Sequence, residues 1–193
     1  MNKASLIDNY ERKGVTLSQK EKDIIFSAFK TVHVKKKEYL LKAGEVCDFE
    51  AFVIQGCFKK YCLDDKGDER IIHFSIEDWW IADLESYNTN EPSRTSIQAL
   101  EDSEILYITK ERKEALYEEI PILERIYRRM TQQECAALQR RIINKLSLNA
   151  TEEYEYFCMR YPTLLQRLTN IQIASYLGIS QEFLSKIRSK KKL

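Results

Sequence analysis

At 193 residues, with 44% hydrophobic and 32% charged side chains, the chain has the balance of a folded globular protein. No apolar run approaches the ~20 residues needed to cross a bilayer, and residues 1–8 carry no signal-peptide core, so a cytoplasmic protein with no membrane partner is expected. The net charge of +1 hides an asymmetry: residues 160–193 hold seven Lys or Arg against one acid (+6), and the remainder holds 24 basic against 29 acidic residues (−5), which fits a terminal module that meets a polyanion.

Residues 18–29 read as a capped helix, with Ser18 and Glu21 in capping-box positions and Ile24, Ile25, Ala28 and Phe29 as its apolar stripe. The period then changes. Short β-rich runs at 32–34, 49–56, 58–63, 70–74 and 103–108 are broken by turn signals at 42–45, 55–56, 64–68 and 90–93. Many short strands at near-regular spacing predict a sandwich or barrel. Five cysteines (Cys47, Cys57, Cys62, Cys135, Cys158) form neither a disulfide framework nor a CxxC pair. Cys57 and Cys62, an odd offset apart, are placed on opposite faces of one strand, and the cysteines are read as buried small hydrophobes. The aromatic pair Trp79-Trp80 is read as core packing. His33 and His73 have no nearby third ligand, and no phosphate loop, nucleophile elbow or Cys-His pair is present, so neither a metal site nor an enzyme is expected.

Helical patterning returns near Lys110. With Pro121 in a first turn, an amphipathic helix is predicted at about 122–146, its stripe being Leu123, Ile126, Tyr127, Met130, Ala137, Leu138 and Ile142. It is longer than a small domain needs, which predicts pairing with a second copy into a homodimer. A polar patch at 149–153 starts a further helix through Phe157, and Tyr161-Pro162 interrupts it. The expected division is a body at 1–148, including the dimer helix, and a reader at 149–193.

Residues 169–188 carry the sharpest signal. Ile173, Ala174 and Leu177 precede Gly178, and Phe183, Leu184 and Ile187 follow it, so each of two helices has an inner stripe. Gly178 supplies a left-handed corner, Ala174 a close helix approach, Ile179 an apolar plug, and Ser180 an N-cap with Glu182 adding charge in the first turn. This is a helix-turn-helix pattern, and the partner it implies is double-stranded DNA.

The order of β-rich body, long helix and terminal helix-turn-helix resembles the Crp/Fnr family of bacterial transcription regulators, across almost the whole chain. Leu41-Lys42-Ala43-Gly44-Glu45 and residues 52–59 look like that family's glycine turns, residues 64–70 its next hairpin, and residues 78–87 its entry into the ligand cassette, in a Bacteroidetes-like subgroup. The resemblance implies an α+β fold: a cyclic-nucleotide-binding-like jelly roll, a dimerisation helix and a helix-turn-helix. It also implies RNA polymerase as a partner and a small anionic effector. Members that bind cyclic AMP carry Gly-Glu and Arg-Ser/Thr pairs; here Ala82-Asp83 replaces the first, and Arg94-Thr95 matches the second only with a one-residue insertion. No cofactor is therefore assigned, cyclic AMP is disfavoured, and the candidate effector pocket is Asp83, Glu85, Arg94 and Thr95. Arg94 can grip an anion with two bonds, a surface salt bridge being its alternative use. The amino-terminal cysteine cluster of iron–sulfur relatives is absent. The sequence ends at Leu193, so a full β-hairpin wing is not expected, and the lysine tail is its substitute.

The resemblance places Gln181, Glu182 and Lys186 toward bases, chemistry that suits adenine, cytosine and guanine edges respectively. Ser180 and Ser185 share the exposed face. Thr169, Arg188, Lys190, Lys191 and Lys192 are placed toward phosphates. The alternative function is a ligand-binding or protein-interaction module of the same fold without DNA binding.

Overall fold

The computed structural model describes residues 4–191, so Lys192 and the side chain of Lys191, both assigned above to phosphates, lie outside the described residues. Eight α-helices and eight strands are described, in two compact units: Met1–Cys62 with Ile72–Thr131, and Leu63–Ile71 with Gln132–Leu193. The expected division at 148/149 thus falls inside the second unit.

The first unit starts with α1 (Ala4–Glu11) and α2 (Gln19–Ala28). Ser18 caps α2 in a complete capping box, since Glu21 N donates to Ser18 Oγ and Ser18 N donates to Glu21. The strands are β1 (Lys30–Val34), β2 (Tyr39–Leu41), β3 (Phe49–Gln55), β4 (Phe58–Leu63), β5 (Glu69–Ser75), β6 (Trp80–Ile81), β7 (Ser96–Ala99) and β8 (Ser103–Thr109), with α3 (Leu84–Thr89) between β6 and β7. They form two four-stranded sheets, ordered β1-β8-β3-β6 and β2-β7-β4-β5, with antiparallel pairs such as Phe52↔Leu106 and Phe58↔Ala99 in register. Neighbours that are not consecutive in sequence make this a jelly roll.

Leu41, Phe49, Val53, Phe58, Ile97 and Ile105 fill the interior, each burial worth about 1.5–3 kcal/mol. A second cluster joins α1 and α2 to β3, β8, α4 (Lys110–Glu119) and the start of α5 (Ile122–Ser147), through Leu6, Tyr10, Ile25, Phe52, Leu116, Leu123 and Ile126. Trp80 packs there against Tyr10, Phe29, Phe52 and Tyr127, the core use expected of it.

Gly56 closes the β3–β4 turn at φ +116, and a Cβ there would sit 2.0 Å from Ser103 Oγ and 2.8 Å from Ser103 Cα. Strain and overlap act together. Gly56→Ala is expected to destabilise the protein by about 2 kcal/mol or more, read as a lower thermal midpoint, and an unchanged midpoint would contradict this account of the turn.

The second unit holds the hairpin tip at 63–71, the rest of α5, then α6 (Ala150–Arg160), a 3-10 turn (Leu164–Gln166), α7 (Asn170–Leu177) and α8 (Gln181–Lys191). Asn149 caps α6 with another capping box.

Several expectations are corrected. β2, β6, β7, α1 and α3 are elements that the periodicity did not reveal; those strands run two to four residues, too short to show alternation. Cys57 precedes β4 and is buried, so the strand-face argument does not apply to it. Cys47 is also buried, whereas Cys135 is exposed. Of the α5 stripe, Leu123, Ile126 and Tyr127 are buried in the chain's own core, whereas Ala137, Leu138 and Ile142 are exposed.

Candidate nucleic-acid interface

The hydroxyl of Thr169 accepts from Gln172 N while the Gln172 side chain accepts from Thr169 N, a reciprocal cap that starts α7. Thr169 is exposed beside the free amides of that first turn, where an anion is favoured. Gly178 ends α7 in the left-handed region at φ +68, and Ile179 N donates back to Ala174 O at 3.0 Å. A side chain there would meet Lys145 Nζ at 3.4 Å as well as the unfavourable φ. Ser180 Oγ then accepts from Phe183 N at 3.1 Å, so α8 starts where the sequence places it.

Ile173, Ala174, Leu177, Leu184 and Ile187 are buried, with Tyr154, Phe157 and Leu164 also in the core of this unit. The opposite side of α8 is open. Ser180, Gln181, Glu182, Ser185, Lys186 and Lys190 are all exposed, which brings the predicted set onto one accessible helix face and its start.

Three details depart from expectation. Phe183, assigned above to the inner stripe, is 47% exposed, because it lies about 100° around the helix from Leu184, outside the 184/187 face. Glu182 takes hydrogen bonds from its own backbone amide and from the Ser180 hydroxyl, which hold its carboxyl below the usual carboxylate range and draw it toward the helix end. Arg188 is only half exposed and donates to Asn170 Oδ1, pinning α8 to the first turn of α7.

The hairpin tip and α5 brace this motif. Ser175 Oγ donates to Glu69 O at 2.5 Å and accepts from Ile71 N at 3.1 Å. Arg141 donates to Ile71 O and Tyr176 O, and Lys145 donates to Leu177 O at 2.6 Å and pairs with Glu153 at 3.0 Å. Cations on the last carbonyls of α7 also complement the negative end of its dipole. Apart from the Lys145–Glu153 pair, these brackets had no sequence signal, since the partners lie 32 to 106 residues apart.

In the jelly roll the four candidate pocket residues form two pairs. Asp83 is buried; Ser93 Oγ and Thr95 Oγ1 donate to its carboxylate, the latter at 3.1 Å. Arg94 makes a two-bond contact with Glu85 at 3.1 Å, with side chains 81% and 66% exposed. Ser93 escaped the sequence reading. Asp83 begins α3 without capping it by its side chain, because the carboxylate is turned to Ser93 and Thr95. An anion at Arg94 has to compete with Glu85. Among the described residues no group of three or more His, Cys, Asp or Glu is arranged to hold a metal, and no helix is long and apolar enough to cross a membrane.

A family model for the cyclic nucleotide-binding domain matches residues 31–119. The transcriptional activator protein Anr of Pseudomonas protegens is 26% identical over 165 residues, covering 80% of this chain and 67% of that protein. Among solved structures, a transcriptional regulator of the Crp/Fnr family from Eubacterium rectale superposes with TM-score 0.71 at 16% identity, covering 91% of this chain and 84% of that one. FixK2 from Bradyrhizobium japonicum gives TM-score 0.68 at 16% identity, with coverage of 84% and 83%.

Proposed function

We propose that the chain is a transcriptional regulator of the Crp/Fnr type that works as a homodimer and reads a two-fold-symmetric DNA site through α8, a reading supported by the similarity to the cyclic nucleotide-binding domain model and to Anr. The observation that carries this reading is the division of α8: Leu184 and Ile187 buried, and Gln181, Ser185 and Lys186 exposed, on a helix capped at its start by Ser180 just after an α7 whose end Lys145 holds. Gln181 pairs with adenine and Lys186 with guanine in the major groove, and exposed Phe183 meets a thymine methyl. Glu182 divides between the helix end and a cytosine N4. Ser180 and Ser185 add short contacts at the same face. Thr169 with the α7 amides, and Lys190, hold phosphates; Arg188 positions α8 and offers its remaining N–H groups to the backbone.

Pairing runs along the exposed part of α5, where Leu138, Ile142 and Leu146 are uncovered. The body and reader then divide functionally near 148/149, with the jelly roll as the regulatory part. A small anion that displaces Glu85 from Arg94 is its effector. RNA polymerase is the downstream partner, the protein performs no catalysis, and it acts in the cytoplasm.

Fluorescence-anisotropy titration tests the reader. Gln181→Ala or Lys186→Ala is expected to cost about 1–3 kcal/mol on the preferred duplex and little on random duplex. Lys190→Ala is expected to weaken both duplexes alike and to flatten the salt dependence by about one phosphate contact. Equal losses on both duplexes from the Gln181 change would contradict the base-reading role.

A further inference from the structure

The second unit contains a cleft between the last turns of α5, the face of α6 and the end of α7, open to solvent. Four cations line it: Arg140 and Arg141 and Lys145 from α5, and Arg160 from the end of α6. The carboxylate among them is Glu153, and it is held by Lys145 at 3.0 Å. Arg140 and Arg160 are exposed and have no ion pair among the described residues. Positive charge here exceeds what the chain itself neutralises.

The floor of the cleft is aromatic. Tyr176 is largely buried, its ring lies 4.1 Å under the Arg141 guanidinium, and burial pushes its hydroxyl up to about 12, so it stays a neutral donor at physiological pH. Tyr156 and Tyr161 add further ring surface. The Arg141 guanidinium is fixed, because it also donates to the carbonyls of Ile71 and Tyr176. A fixed cation on a ring, beside two guanidiniums that carry no ion pair among the described residues, suits a ligand with a flat part and an anionic part.

The cleft also stays accessible on pairing. Ala137, Arg140, Arg141 and Asn144 are spaced to share one face of α5, whereas Leu138, Ile142 and Leu146 centre about 150° away at about 100° per residue, with Lys145 at the border between the two. Dimerisation through the apolar face leaves the basic face uncovered.

We infer that this cleft is a binding site for a small planar anion, an aromatic ring bearing a carboxylate or phosphate, separate from the candidate pocket at Arg94. The anionic group sits between Arg140 and Arg160, and the ring lies along Tyr156 and Tyr176. The site bridges α5, α6 and the end of α7, so its occupancy bears on the same elements that brace the reader.

Calorimetric titration of the full chain with phenyl phosphate and benzoate tests this, with inorganic phosphate and benzyl alcohol as single-feature probes. Saturable binding of phenyl phosphate and benzoate is expected, at least tenfold tighter than either single-feature probe. The double change Arg140→Gln with Arg160→Gln is expected to weaken it at least tenfold, and Tyr156→Leu to weaken phenyl phosphate while leaving inorganic phosphate unchanged. Lys20→Gln, an exposed change outside both candidate sites, is expected to have no effect. Both arginines are exposed, and an unchanged melting temperature will confirm that the double variant is folded. Absence of saturable binding, equal affinity for inorganic phosphate, or a double variant that binds phenyl phosphate like the parent overturns the inference. A double variant that loses duplex affinity while the parent binds no phenyl phosphate assigns the cleft to the DNA path and overturns it too. None of these outcomes decides the reader itself, which is tested by base preference at Gln181 and Lys186.

Discussion

Replacing Lys113 by Ala lowers the stability of the protein by about 3–5 kcal/mol, the largest loss expected from any single change in the first unit. Lys113 Nζ lies 2.6 Å from Glu50 Oε1, with the two side chains only 7% and 10% exposed. Around the ammonium stand the rings of Tyr87, Tyr117 and Tyr127, at 5.1, 5.5 and 4.2 Å from their centroids. Tyr127 in turn shares a hydrogen bond of 2.7 Å with Tyr10, and burial drives both hydroxyls far above the ordinary tyrosine range. Removing the cation leaves the Glu50 carboxylate buried without its partner among neutral tyrosine rings. The desolvation cost of that carboxylate, more than the lost attraction, sets the magnitude.

The control is the paired change. Lys113→Met with Glu50→Leu removes both charges at similar volume, and its loss is expected to be smaller than that of Lys113→Ala alone. Chemical denaturation of the three proteins checks this. A Lys113→Ala protein within about 1 kcal/mol of the parent would show that water reaches the pair and that its burial is not felt.

Ile142→Asp has the largest expected effect on function. Leu138, Ile142 and Leu146 are 42%, 60% and 84% exposed, apolar, and spaced four apart, while Arg141 and Lys145 along one side of that stripe bind the hairpin tip and α7. A charge on each copy of this seam places two carboxylates against each other in an apolar contact, which costs several times what one buried methylene gains. The variant is expected to sediment as a monomer and to bind the full symmetric site at least about 100-fold more weakly, because the second half-site is no longer tethered at high effective concentration. Affinity for an isolated half-site is expected to be unchanged, and so is the melting profile at low protein concentration. A variant that remains dimeric would show that pairing uses another surface.

The helix-turn-helix was legible because its signals are local. The cap at Ser180, the corner at Gly178 and the stripe residues Ile173, Ala174, Leu177, Leu184 and Ile187 lie within twenty residues of one another, and the structure places these where the sequence does. The β-rich body was legible as a sandwich or barrel, since its longer strands are β-rich runs broken by turns that carry glycine, while the jelly roll itself followed from the resemblance. The shorter strands were not legible, because two to four residues show no period. Within α8 the sequence spacing misassigned Phe183, as three apolar residues at 183, 184 and 187 span a wider arc than the buried face accommodates. Arg188 and Glu182 looked free on a helical wheel, but Asn170 and the helix end engage them. That part of α5 lies uncovered was legible from its length, but which stripe residues are buried was not, because an apolar stripe looks the same whether its partner is in the same chain or in another. Least legible were the Asp83–Ser93–Thr95 network and the basic cleft, which depend on side chains from separate segments converging.

The central claim is that a pair of α8 helices reads DNA. Selection of bound sequences from a random duplex pool, using the full chain at physiological salt, tests it most directly. A two-fold-symmetric consensus is predicted, with half-site centres about 10 base pairs apart and contracted toward random at one position per half-site when Gln181→Ala is used. A pool that returns no enriched sequence, or an asymmetric one indifferent to Gln181 and Lys186, would contradict it.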